Sequence, residues 1–364
     1  MSNNNFLGDN GFLWFIGVVE DRQDPQYAGR VRVRALGHHS SNTTLLSTSD
    51  LPWASVVLPI TSSGISGLGQ TPLGLVEGSW VFGYFRDGMN RQEPVVLGSL
   101  PGKPSELAQS GGFYDPNGIY PKYKDEPDVN RLAVNSKDSN GNENNPSLSL
   151  TLRRSTRITG IATANFAAGI AADGSGIDGS DGSTWNQIAI PYNASYPYNH
   201  VYESESGHIR EYDDTPMAER IHERHRTGTS YEIDKDGNRT DIIKSSHYSL
   251  ISNNSQLYIQ GDSDTTINGH HKLYINKNNS LNNHYDIQVG ANANINIQVD
   301  SGDVNIVTSQ GKINMNAGGD YNLKVGGNMN VVVEGSISET VEGSKTSNTT
   351  GAVIHRGATI DLNP

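Results

Sequence analysis

The chain has 364 residues, a formal net charge of -12 and no cysteine; 34% of its residues are hydrophobic and its mean hydropathy is -0.54. The acidic balance argues against a nucleic-acid partner, whose phosphates require a basic face, and the lack of cysteine excludes disulfides as a source of stability. No apolar run reaches the roughly 18 residues of a bilayer-spanning helix, and Met1-Ser2-Asn3-Asn4-Asn5 lacks the basic and apolar regions of a secretory signal.

Residues 11–101 read as five short strands. Phe12-Leu13-Trp14-Phe15-Ile16-Gly17-Val18-Val19 is apolar and aromatic, and Gly29-Arg30-Val31-Arg32-Val33-Arg34-Ala35-Leu36 alternates with the period of a half-buried strand. Residues 53–58, 80–85 and 95–100 supply three more, with Asp24-Pro25 and Asp87-Gly88 as turn signals. Five strands in this length predict a small antiparallel barrel of the OB-fold type over residues 1–101. Residues 102–198 read as an extended linker with little core of its own. Its first half is punctuated by Pro104, Pro116, Pro121, Pro127 and Pro146, and residues 169–183 are almost entirely Gly, Ala, Asp and Ser. A short strand or helix is possible within residues 149–168. Residues 199–256 return to β-structure, with Tyr231-Glu232-Ile233-Asp234 entering a turn at Asp236-Gly237.

From residue 257 the chain is repetitive. Gly311, Gly319, Gly327, Gly335, Gly343 and Gly351 are each eight residues apart, and Gly261 and Gly269 share that spacing. Two residues before the glycine stand Ala317, Val325, Val333, Val341 and Thr349. Two after it stand Ile313, Tyr321, Met329, Ile337, Lys345 and Val353. Four after it stand Met315, Leu323, Val331, Glu339, Ser347 and His355. These odd-numbered positions share one face of a strand, and the even positions are mostly polar. Stacked β-repeats are predicted, with glycine at each corner in a positive-φ conformation. One chain could coil into a solenoid, or three chains could each contribute faces to a triangular prism. The period fits both. At roughly 4.8 Å per stacked strand, a dozen octads in the three-chain form would make a rod on the order of 60 Å.

Several residues invite a sharper chemical reading. Arg30, Arg32 and Arg34 lie on one side of a strand and could form a nucleic-acid face; a solvated face or a protein contact is preferred. Glu232, Asp234, Asp236 and Gly237 mimic a calcium loop, but its closing bidentate Glu would fall at Ile243, so a hairpin turn is expected. Asp173-Gly174-Ser175-Gly176-Ile177-Asp178 resembles a single calcium nonapeptide whose required apolar position is Ser180. His222, Glu223 and His225 could ligate a metal, although a charged surface turn or an interchain salt-bridge network is preferred. His355 falls in an inward column, where three copies would gather on a three-fold axis; three neutral imidazoles sharing water are preferred to a metal site. No catalytic, cofactor-binding or metal-binding residue is assigned, and no cofactor is expected.

Three blocks resemble one family. Trp14-Phe15-Ile16-Gly17-Val18-Val19-Glu20-Asp21-Arg22 with Asp24-Pro25, Gly29-Arg30-Val31-Arg32-Val33-Arg34 and Leu51-Pro52-Trp53-Ala54-Ser55-Val56 resembles the start of the central spike proteins of contractile-tailed bacteriophages. Val201-Tyr202-Glu203-Ser204-Glu205-Ser206-Gly207-His208-Ile209, then Glu211-Tyr212-Asp213-Asp214-Thr215-Pro216, resembles the junction into that family's β-helix, and VgrG spikes of type VI secretion share a related version. Val333-Glu334-Gly335 and Val341-Glu342-Gly343 match its Val-x-Gly repeat. The resemblance implies an all-β homotrimer: an N-terminal OB-fold barrel against a baseplate hub protein, and a C-terminal intertwined trimeric β-helix over residues 257–364 that pierces the host envelope. It places the protein in the virion, at the tail baseplate, made in the host cytoplasm. The tip, residues 354–364, is expected to be blunt or to carry a small PAAR-type protein.

Some relatives carry a lysozyme domain between barrel and needle. Here that interval is Pro- and Gly-rich, and Glu106, Asp115, Asp125, Glu126 and Asp128 lack the helical, apolar surroundings in which a general-acid carboxylate is made. A non-enzymatic spike is therefore expected. The alternatives are a tail lysozyme with a cryptic muramidase in the linker, and a type VI secretion spike. The latter would normally carry longer hub-like domains before the barrel.

Overall fold

The computed structural model describes residues 13–72, 74–103, 127–134, 177–178, 182–185, 192–275 and 284–361. The chain divides into two compact units, residues 1–272 and 273–364.

In the first unit, β1 (Leu13–Asp21), β2 (Val31–Ala35), β3 (Trp53–Val56), β4 (Trp80–Phe85) and β5 (Pro94–Ser99) close into a barrel in the order β1-β2-β3-β5-β4. All pairings are antiparallel except β3 with β5, where Ser55 and Val56 run parallel to Val95 and Val96. Each expected strand lies within a few residues of its sequence-based place, and the closed barrel is OB-like. Alternation explains the core: in β4, Val81, Gly83 and Phe85 point inward while Trp80, Phe82 and Tyr84 point outward. Phe15, Val19, Val31, Val33, Ala35, Ala54, Val81, Phe85 and Val96 fill the interior. Gly83 is required by close approach, since a Cβ there would lie 2.6 Å from the Phe15 ring and 2.2 Å from the Val95 carbonyl oxygen.

The pairing register shifts at two places: one leaves Leu97 as an extra residue on β5, opposite the step from Phe82 to Gly83, and the other lies in β1. The β1–β2 register passes from Val19↔Val33 to Asp21↔Arg32, so Glu20 is an extra residue on β1. The bulge sets Asp21 opposite Arg32, and Glu20 meets Arg34, which alternates with the inward Val33 and Ala35, under the segment that carries Ser40, Leu46 and Thr48. The solvated face expected for Arg30, Arg32 and Arg34 therefore does not form at Arg34, which has no solvent exposure.

Between the barrel and the next sheet, Arg131–Val134 forms one helical turn, α1. Leu132 is buried there with Ile209, and Tyr192 and Val201 pack against them, so this short piece of the interval contributes a core residue. The Asp128 N–H donates to the Gly102 carbonyl and the Gly102 N–H to the Asp128 carboxylate, which ties this piece to the end of the barrel. Two residue pairs, β6 (Ile177–Asp178) and β7 (Thr184–Trp185), form a small antiparallel ladder. The strand or helix anticipated within residues 149–168 lies outside the described residues.

The junction returns to β-structure as expected. β8 (Asn199–Glu203), β9 (Ile209–Asp213), β10 (Arg220–Arg224), β11 (Ser230–Ile233) and β12 (Arg239–Ile242) form an antiparallel meander in sequence order. Gly237, at φ 82°, sits in the β11–β12 hairpin predicted there.

The repeats behave differently. Every described residue from Ile243 to Asp361 is exposed, and none belongs to a helix or a sheet. Bends nevertheless recur at residues 318–319, 326–327, 334–335, 342–343 and 350–351, so the octad period is built into the backbone. One expectation is corrected. Among the described repeat glycines Gly302 alone has a positive φ, of 124°; Gly311, Gly319, Gly327, Gly335, Gly343 and Gly351 bend without it. Gly319, Gly327, Gly335, Gly343 and Gly351 also have no atom of their own chain within 4 Å of where a Cβ would stand. Neither backbone strain nor packing within one chain accounts for glycine at those corners.

Candidate functional site

The described residues offer interaction surfaces and buried ionic clusters. Among them, no group of three or more His, Cys, Asp or Glu side chains is arranged to hold a metal ion.

The three arginines of β2 and its approach have separate tasks. Arg30 forks onto Asp24, with Nε 3.0 Å from Oδ2 and Nη2 2.7 Å from Oδ1. Asp24 also accepts backbone N–H bonds from Gln26, Ala28 and Arg30, so it organises the whole β1–β2 loop. The Arg30 bond, followed by those backbone donors, holds the Asp24 carboxyl far below the usual aspartate range despite its burial. Arg32 donates to the carbonyls of Thr48, Ser49 and Leu51 and covers the Trp53 ring at 4.6 Å. Arg34 pairs with Glu20 through Nε–Oε1 at 2.5 Å and Nη2–Oε2 at 2.9 Å, and gives its other bonds to the Ser40 and Leu46 carbonyls. All three are structural, and no continuous basic face remains for a nucleic acid.

The His222–Glu223–His225 segment is likewise not a charged turn. It belongs to β10 and the turn after it, with Arg220, His222 and Arg224 buried on one face of the sheet. The register aligns Glu211, His222 and Glu232 across three strands. Arg220 bridges two of these carboxylates, at 2.7 Å to Glu211 and 2.9 Å to Glu232, and His222 Nδ1 lies 2.8 Å from Glu211 Oε2. Burial raises the Glu211 carboxyl, but the His222 bond, the Arg220 charge and an Asn199 amide bond outweigh it and leave it below its ordinary value. Glu232, with less help, is pushed up by burial. This network is formed within one chain, and sequence reasoning missed it because its buried positions carry charge. An apolar pattern would have given it away. The calcium-like run Asp234 to Asn238 is a hairpin whose Asp234 carboxylate accepts bonds from Asp236 and Asn238 of its own turn. Of the nonapeptide candidate, only the backbone of Ile177 and Asp178 is described; Glu106, Asp115, Asp125 and Glu126 lie outside the described residues. Asp128 is occupied in holding Gly102. His355 is exposed within one chain.

A contact joins the two sheets of the first unit. Arg22 reaches Glu77 of the barrel at 3.3 Å and Glu205, in the β8–β9 turn, at 2.7 Å.

Two surfaces stand open. On the barrel, Trp14 stacks on Phe82 with centroids 5.1 Å apart and meets Tyr84 edge-on at 5.7 Å, while Ile16 and Leu97 are also exposed. An aromatic and aliphatic strip of this kind is the composition of a protein contact. In the octads, Ile313, Met315, Tyr321, Leu323, Met329 and Val331 are each more than half exposed. Two of their contacts show how the columns meet: Tyr321 Oη lies 3.8 Å from Met315 Sδ, and Lys345 pairs with Glu339.

Comparison with known proteins points to one family, although the matched OB-domain stretch begins after β2 and runs past the barrel. Residues 36–174 match the family model described as the Gp5 N-terminal OB domain. Protein Gp5 of Vibrio phage KVP40 is 39% identical over 284 residues, covering 75% of this chain and 67% of that protein. The pre-baseplate central spike protein Gp5 of Enterobacteria phage T4 is 44% identical over 122 residues, 31% of this chain and 20% of that protein. With an OB-like barrel in place and a Gp5 relative matched over two thirds of its length, the chain belongs to the Gp5 family of central spike proteins of contractile-tailed phages.

Proposed function

We propose that this chain is the structural, cell-puncturing central spike of a contractile tail baseplate, acting as a homotrimer. The observation that carries the reading is the state of the described residues between 243 and 361 in a single chain: bent every eight residues from 318 to 351, carrying apolar columns, and all exposed. A lone chain leaves those columns in water. Three copies winding round one axis would bury them and hydrogen-bond the backbone of each octad to its neighbours, leaving no lateral sheet edge. Corner glycines with open space in their own chain suit the close approach of another copy.

In this reading residues 1–101 form the barrel, which packs its Trp14–Phe82–Tyr84 strip against a separate hub protein. Residues 102–198 connect it to the junction at 199–256, and residues 257–364 form the needle. The tip is blunt or takes a small PAAR-type protein, and the needle crosses the host outer envelope when the sheath contracts. The work is mechanical, so the chain needs stiffness under axial load and slow unfolding rather than catalysis. Peptidoglycan hydrolysis, where needed, falls to another protein.

A peptide tag at the C-terminus, labelled with antibody on intact virions, is expected to mark the distal end of the baseplate axis. Label elsewhere on the tail would contradict the spike. Zymography with purified chain on peptidoglycan is expected to show no clearing; clearing would make the protein a tail lysozyme.

A further inference from the structure

The two contacts within the octads have the same spacing. Met315 meets Tyr321 across the Gly319 corner, and Glu339 meets Lys345 across the Gly343 corner. In each, the residue four after one glycine touches the residue two after the next. The chain therefore brings these two columns together on one side at both corners. Applied along the sequence, the rule gives Met315/Tyr321, Leu323/Met329, Val331/Ile337, Glu339/Lys345 and Ser347/Val353. Four of these five pairs hold no ionisable carboxylate or amine. One is a full-charge pair of acid and lysine, set between an apolar layer and a layer of Ser347 and Val353.

The apolar layers cannot specify how copies align. A chain displaced by one octad would put Leu323 where Val331 belongs and Met329 where Ile337 belongs, and remain apolar throughout. Glu339 and Lys345 are different. A one-octad slip places Lys345 level with Ile337 or Val353 of the other copies, and Glu339 level with Val331 or Ser347. A slipped chain carries its own pair with it, but the slip sets that ion pair, and the pairs of the other two copies, against apolar side chains instead of one closed ring of pairs, which is costlier than a slipped methyl. Single polar positions in otherwise apolar coiled coils set register in the same way.

Resting on the homotrimeric reading above, we infer that the Glu339–Lys345 layer is the register lock of the needle: the partner it recognises is the same layer in two further copies of this chain. Three acids and three lysines at one level are neutral in sum, so the layer is tolerated inside the prism only when all three chains are aligned. It selects alignment, and the apolar layers above it supply cohesion.

Because the chain has no cysteine, one probe can be placed cleanly. Ser344→Cys in the full chain, at an even-numbered, outward position, carries a spin label, and double electron–electron resonance reads the distances between copies. One narrow distance is expected in the otherwise unchanged chain. Glu339→Met combined with Lys345→Met should keep the trimer mass and add a second distance population from slipped chains. The exchanged pair, Glu339→Lys with Lys345→Glu, should restore the single distance. A single distance in the Met pair, or a second population in the exchanged pair, overturns the lock while leaving the trimer standing. If the Met pair fails to assemble, the exchanged pair alone decides. A one-chain mass for the labelled parent defeats the trimer itself, and with it the lock.

Discussion

Arg34 is accommodated without solvent because its hydrogen-bonding groups find acceptors under the loop that follows β2: both oxygens of Glu20 and the Ser40 and Leu46 carbonyls. Thr48 donates to the same Glu20 carboxylate at 2.8 Å. Arg34→Met would leave that carboxylate buried with one hydroxyl donor, and the expected loss is about 3–5 kcal/mol of barrel stability, measured by urea unfolding. Arg34→Met together with Glu20→Leu should recover most of it. The exposed pair Arg86–Glu93 is a control, since its removal is expected to cost no more than ~1 kcal/mol. Loss of less than that from Arg34→Met would contradict the account of the buried pair. The three arginines at alternate positions are plain in the sequence, but the burial of Arg34 is not. It depends on Glu20 across the strand pair and on the loop carrying Ser40, Leu46 and Thr48 folding over both, which β2 alone does not show.

At the scale of elements, legibility follows the kind of residue that lines the buried face. The barrel strands could be placed because Phe15, Val19, Val81 and Phe85 alternate with residues that stay outside. The junction strand β10 could not, since Arg220, His222 and Arg224 occupy its inward positions and Ile221 points out. A charged run reads as surface until its cross-strand partners, Glu211 and Glu232, are known. The octad corners were located by glycine but for the wrong reason: positive φ is absent at the six regular glycines, so their role must come from what approaches them. Gly335→Val puts that to a test. In a lone chain the added side chain meets nothing of its own within 4 Å at Cβ and should be tolerated. In stacked copies it should obstruct the corner, and the assembly should melt at lower temperature or sediment as smaller species. Unchanged melting and sedimentation would mean that no neighbour contacts the corner.

The whole molecule combines two solutions to the problem of a thin core. The barrel and junction sheet bury apolar side chains and ion pairs within one chain, and Arg22 links them. The octads bury nothing alone, and their apolar columns gain a core only from further copies. Their polar even positions suit a narrow rod that must remain soluble along its length, and closure of the backbone bonds between copies would make unfolding slow. The most direct measurement is the mass of the full chain in solution by light scattering. Three times the 39.4 kDa of one chain is predicted, falling to a smaller species when residues 257–364 are removed. A full-length protein that stays at the mass of one chain would contradict the intertwined needle.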